Sequence, residues 1–187
     1  MARFRYIALL LVVVINSFAQ HHHASEDNNT PAGKPIAIII FMAVDCPVTQ
    51  KYMNTIKSIA LRYQGEISVT GYFPAGLTRK TEKQFRREYN IPDIISLVDD
   101  KAHQATEKFG ATITPEVFLI SESDKVLYSG AIDNWFFELG RYRVEITENY
   151  LLDAIEATKK GNMPPITRTE AVGCFIQKLK GNSTHQH

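Results

Sequence analysis

The sequence predicts an α/β domain, a sheet with helices on its two faces. Three observations carry that expectation. Ile36–Met42 is an unbroken apolar run, which suits a strand covered on both sides. Glu66–Phe73 alternates and is rich in β-branched residues. The helical pattern between these two runs makes a βαβ unit with parallel strands. Further on, Val117–Ser121 and Val126–Ser129 flank a Ser123-Asp124 turn and read as a hairpin.

The chain has 187 residues, 44% hydrophobic and 22% charged, enough for one domain with its own core. The net charge of +1 gives no electrostatic footprint for nucleic acid and no anionic-membrane patch.

From the N-terminus, residues 1–19 read as a secretory signal peptide. Arg3 and Arg5 precede the apolar run Ile7–Ile15, and Ser17-Phe18-Ala19 offers small residues where a signal peptidase cuts. The run is short for a membrane span, so no integral span is expected after cleavage. Export implies a periplasmic or secreted protein in an oxidising compartment. Residues 20–34 form a polar, His-rich leader that reads as flexible. After cleavage, His22 would be the third residue, a weak candidate for Cu(II) through its imidazole and the N-terminal amine and amides.

The folded domain is expected over residues 35–160. Its first strand ends at Asp45-Cys46-Pro47, and a helix follows over Pro47–Gln64. Tyr52, Ile56, Ile59, Ala60 and Tyr63 make its apolar stripe, and Gly65 sits where a C-terminal cap is wanted. Pro74-Ala75-Gly76 breaks the second strand. A short amphipathic helix is expected over Thr81–Tyr89, a strand at Ile95–Val98, and a helix over Asp99–Phe109. Gly130–Thr147 has no clean period despite Trp135, Phe136 and Phe137. Asp133 and Asn134 read as turn residues, and Arg141 and Arg143 as solvated charges. Glu148–Lys160 is the last helix, with Thr147 as its expected N-cap. Residues 161–187 read as a loose tail carrying Cys174.

Cys46 stands out. It sits where a helix begins, and Pro47 takes the first helical position, where a missing N–H costs nothing. The free amides and the helix dipole favour a thiolate there. Thr49, one turn on, can donate its hydroxyl to that thiolate, whereas the negative charge of Asp45 works against it. The sequence has two cysteines, so Cys174 is the one other sulfur available. The pair can be redox-active, can be a permanent clamp, or can never meet. A clamp would close a loop of about 128 residues and add about 5 kcal/mol in the chain-entropy model.

Asp45-Cys46-Pro47-Val48-Thr49, Thr114-Pro115-Glu116-Val117 and Leu127-Tyr128-Ser129-Gly130-Ala131-Ile132-Asp133, in this order of elements, resemble the thioredoxin fold. The likeness is to exported redoxins of the alkyl-hydroperoxide-reductase/thiol-antioxidant and TlpA/ResA-like kind, and covers about Pro35–Lys160. It implies a central mixed sheet flanked by helices. It also implies a cis Pro115 facing the cysteine and a Thr114 backbone that pairs with an extended substrate. Pro47, Thr114 and Pro115 are then substrate-binding residues.

The motif is altered. Thr49 stands where a dithiol redoxin has its second cysteine. Ile39 and Ala43 stand where a peroxiredoxin has Pro and Thr. Gln50 stands where a Sco-type copper protein has its second cysteine, and His103 is the lone core histidine. The resemblance implies thiol–disulfide exchange with a protein thiol or disulfide partner and no cofactor. Cys46 is the nucleophile, Cys174 the candidate resolving cysteine, and Glu116 a candidate proton acceptor. Two other classes remain: copper binding through Cys46 with a histidine or Cys174, and a redox-inactive interaction domain with a structural Cys46–Cys174 disulfide.

Overall fold

The computed structural model describes residues 36–179; the signal-peptide, leader and His22 readings, and the last residues of the chain, lie outside them. The elements in order are β1 (Ile36–Phe41), α1 (Pro47–Arg62), β2 (Ile67–Phe73), α2 (Arg79–Tyr89), β3 (Ile95–Asp99), α3 (Gln104–Phe109), β4 (Ile113–Thr114), β5 (Glu116–Ile120), β6 (Val126–Gly130), β7 (Phe136–Glu138), β8 (Arg141–Tyr142), α4 (Tyr150–Lys159) and β9 (Cys174–Phe175).

The main sheet has the order β3-β2-β1-β5-β6. β1 is central, parallel to β2 on one side and antiparallel to β5 on the other, so the sheet is mixed. This is the thioredoxin fold, as the resemblance of the motifs implies. The even residues Ile38 and Ile40 of β1 face a core built with Tyr52, Met53 and Ile56 of α1, Phe85 of α2 and Leu151 and Ile155 of α4. The odd residues Ala37, Ile39 and Phe41 face a smaller cluster with Phe118, Ile120 and the α3 side chains Ala105 and Phe109. Both faces of β1 are therefore covered, which is why its sequence shows no alternation.

Four expectations need correction. α3 begins at Gln104, not Asp99, because the buried carboxylate of Asp100 accepts from the amides of Ala105 (3.0 Å) and Thr106 (2.9 Å) and holds the preceding residues in a turn. Thr147 does not cap α4, whose N-cap is Asn149; its amide instead donates to Asn134 Oδ1 at 3.1 Å. Asp133 and Asn134, expected only as turn residues, do lie in a bend but are buried hydrogen-bond hubs. Asp133 Oδ1 accepts from the Tyr52 hydroxyl at 2.5 Å and the Trp135 amide at 2.8 Å, which ties the irregular segment to α1. That segment also folds into the small β7–β8 hairpin.

The fourth correction concerns the segment after α4. It is not loose over the described residues. Thr167–Thr169 lies along β6: Ser129 N–H donates to Thr167 O and Thr169 N–H to Ser129 O, both at 3.0 Å. Cys174–Phe175 then pairs antiparallel with Ile113–Thr114. Gly65 lies just beyond the end of α1 with φ +85°, while Tyr63 occupies the cap position.

Candidate active site

The turn between β1 and α1 is fixed from within. Cys46 is the N-cap residue, in extended conformation, and Pro47 opens the helix. The Cys46 amide donates to Ala43 O at 3.3 Å, and Gln50 Nε2 donates to Val44 O at 2.9 Å. Thr49 is fully buried, and its Oγ1 accepts from the Ala43 amide at 3.5 Å, which leaves its own proton free to point at the sulfur.

Opposite this turn stands the loop before β5. The Thr114–Pro115 peptide is cis. In the thiol state Cys46 Sγ donates to Thr114 O at 3.0 Å. On the far side of Thr114 lies β9, in a register that pairs Thr114 with Cys174. The Thr114 hydroxyl donates to Cys174 O at 3.3 Å, and Ile176 N–H donates to Thr112 O at 2.9 Å. The strand pairing that brings the tail to Thr114 thus brings the second sulfur to the first. Both cysteines are free thiols, Cys46 buried and Cys174 half-buried.

The two thiols differ in acidity because they share an environment. Burial alone would raise Cys46, but the Cys174 thiol and the amide and hydroxyl of Thr49 all hydrogen-bond its sulfur and hold it below the ordinary thiol value. Cys174 is pushed up to about 12 by burial, by its hydrogen bond to Cys46, and by the negative charges of Cys46 and Asp45. The charge of Asp45 therefore reaches the tail thiol and helps to hold its proton on. Of the two thiols, Cys46 is the one that gives up its proton first, and Cys174 the one that keeps it.

A cavity of about 220 Å³ opens on this pair, with Pro74, His103, Thr114 and Phe175 among its walls. His103 is buried, and its Nε2–H donates to the Pro74 carbonyl at 3.2 Å, so its ring is engaged in holding that wall. Among the described residues no three His, Cys, Asp or Glu side chains are grouped as a metal site.

Glu116 is not brought to the thiols. Period-two alternation along β5 puts it on the side of Phe118, away from Val117 and Leu119, which share the Cys46 core. Its Oε2 accepts from the amides of Thr112 (2.8 Å) and Ile113 (3.3 Å), closing the loop that presents Thr114. Sequence reasoning missed Gly173. A Cβ built there would overlap the carbonyl oxygen of Thr114, so glycine is what lets the tail approach this edge. The signal was a glycine directly before Cys174 and an apolar Phe175-Ile176 pair after it, a short strand pattern within a polar tail.

No protein-family model and no curated protein sequence matches the chain. Among solved structures, an uncharacterized conserved protein from Geobacillus kaustophilus is similar to it with TM-score 0.69 at 18% identity, over 80% of each chain. A hypothetical protein from Sinorhizobium meliloti 1021 gives TM-score 0.68 at 20% identity, over 80% of this chain and 82% of that one. A shorter alignment, with StoA from Bacillus subtilis, has TM-score 0.46 at 14% identity over 53% of this chain and 75% of that one. At these identities the likeness to the two longer matches is one of fold.

Proposed function

We propose that this chain is an exported thiol–disulfide oxidoreductase acting on a protein partner, with Cys46 as nucleophile and Cys174 as resolving cysteine. The observation that carries the reading is the direct interaction of the two sulfurs beside Thr114, with Cys46 held below the ordinary thiol value and Cys174 well above it. The Cys46 thiolate attacks one sulfur of the partner's disulfide. A bond forms between Cys46 and that sulfur, the partner's own S–S bond breaks, and its other sulfur leaves as a thiolate that takes a proton. Cys46 is then no longer an anion, so two of the influences that keep Cys174 protonated are gone. Cys174 loses its proton and attacks Cys46 Sγ. The Cys46–Cys174 bond forms and the partner's second sulfur departs as a thiol. The partner gains two electrons and two protons, and a reduced dithiol donor restores the pair. Thr49 stabilises the attacking anion, and Thr114 and Pro115 frame the groove in which the partner lies.

Mass-mapped alkylation and turnover of a protein disulfide test this. The Cys46→Ser chain should lose all reductase activity with its circular dichroism unchanged. The Cys174→Ser chain should accumulate a mixed disulfide at Cys46. A Cys46–Cys174 bond that resists mild reductant, or a Cys46→Ser chain that keeps its activity, overturns the reading in favour of a structural clamp.

A further inference from the structure

The edge of Thr114 is already occupied, and by this chain's own tail. β9 adds to β4 as an extended antiparallel segment, Ile113 opposite Phe175 and Thr114 opposite Cys174. This is strand addition to an exposed edge, the way a peptide is held by main-chain bonds with side-chain pockets choosing alternate residues. Cys174 points at Cys46, while Phe175, 79% exposed, points away to solvent. One position in the segment is sterically restricted: at Gly173 any Cβ would run into the Thr114 carbonyl.

We infer that Gly173-Cys174-Phe175 is a tethered occupant of the site that a partner's segment takes, and that the site accepts an extended segment with glycine directly before its cysteine. The inference rests on the exchange reading above and names its substrate class. Tail and partner cannot pair with Thr114 together, so the tail leaves when the partner docks, and it returns to resolve the mixed disulfide once the bonded partner's strand has come off Thr114. The return is local because the chain stays anchored upstream: Thr169 Oγ1 accepts from the Ala131 amide at 3.0 Å and meets the Tyr128 hydroxyl at 2.6 Å. A segment tethered so near competes at an effective concentration on the order of millimolar or more.

Binding of redox-dead peptides separates this from the exchange chemistry. The probes are two synthetic peptides in which serine replaces the cysteine, one reading Gly-Ser-Phe-Ile and one Val-Ser-Phe-Ile, each with a fluorophore. They are titrated against the full chain and its Gly173→Val variant, whose tail cannot sit against Thr114. The glycine peptide should bind the variant at least about tenfold more tightly than the unchanged chain, because the site is no longer filled. The valine peptide should bind the variant at least about tenfold more weakly than the glycine peptide. Ile176→Pro, which removes the donor to Thr112 O, should give the same gain if Gly173→Val fails to fold. Equal binding of the glycine peptide to the unchanged and variant chains, or equal binding of the two peptides, overturns the inference. Should the peptides discriminate as expected while cysteine versions never exchange with Cys46, the occupancy stands and the oxidoreductase reading falls.

Discussion

The tail is attached at two places, and the two attachments are built differently. At Thr167–Thr169 it runs beside β6, and its hydroxyl enters a closed network: Thr169 Oγ1 with the Tyr128 hydroxyl and the Ala131 amide, the Tyr128 hydroxyl also donating to Ala131 O at 2.6 Å. Tyr128 is fully buried, and burial raises its phenol above the ordinary value, so it stays a neutral donor there. At Cys174–Phe175 the tail meets a two-residue strand, with Phe175 in solvent and a cavity open beside the sulfur. The first attachment buries polar groups that would be costly to leave unpaired. The second leaves one side open. The difference suggests a fixed anchor followed by a segment that can detach, which is what a resolving cysteine on a tail requires.

Breaking the anchor should cost the most. Gly130 has φ +129°, and a Cβ there would overlap the carbonyl oxygen of Thr169. Gly130→Val should therefore destabilise by about 3 kcal/mol or more, from backbone strain and overpacking together. Urea unfolding followed by circular dichroism measures this. A loss under about 1 kcal/mol would mean that the anchor is no firmer than the second attachment. Thr169→Val keeps the shape and removes the hydroxyl, leaving the Ala131 amide without its partner and Tyr128 short of one. It should cost about 1–3 kcal/mol in the same assay.

Legibility in the sequence follows the same division between what is local and what is not. β1 and the Cys46-Pro47 turn were readable because an unbroken apolar run and a proline at the first helical position are local signals. The β5–β6 hairpin was readable for the same reason. Residues 130–147 were not, because their order comes from Asp133 reaching Tyr52 and Asn134 reaching Thr147 and Glu148, side-chain bonds with no period. The tail was read as loose because main-chain pairing to an edge asks for no amphipathic pattern. The marks it leaves are the two glycines it packs against or contains, Gly130 and Gly173, and the apolar Phe175-Ile176 pair. Nearness to Pro115 in sequence makes Glu116 a candidate at the thiols, and strand alternation turns it the other way.

The smallest stability effect should come from Cys174→Ala, yet it speaks most directly to the site. The variant leaves Gly173 and the β9 backbone in place and removes a half-buried sulfur, so unfolding should change by about 1 kcal/mol or less. What should move is the titration of Cys46. Burial already pushes that thiol up, and the Cys174 hydrogen bond is the foremost influence pulling it down, ahead of the Thr49 amide and hydroxyl. Without it, the pH midpoint of Cys46 alkylation, and of its thiolate ultraviolet absorbance, should shift upward. Cys174→Ser, which keeps an O–H donor at the same place, should shift it less. The sign carries into folding: a lowered thiol value in the folded state adds stability above the ordinary thiol value, and that share is lost as the pH falls through the lowered one. The unchanged chain should thus lead Cys174→Ala most near the ordinary thiol value, with the gap closing toward acid as Cys46 takes its proton and closing again toward alkali, where the raised Cys174 thiol costs the folded chain stability. In the unchanged chain Cys46 should be alkylated first, because Cys174 is pushed up to about 12 while the uncapped Cys46 sulfur lies beside it. If both variants titrate like the unchanged chain, Thr49 and the helix N-terminus alone set the acidity of Cys46, and the tail contributes its sulfur only at the resolving step.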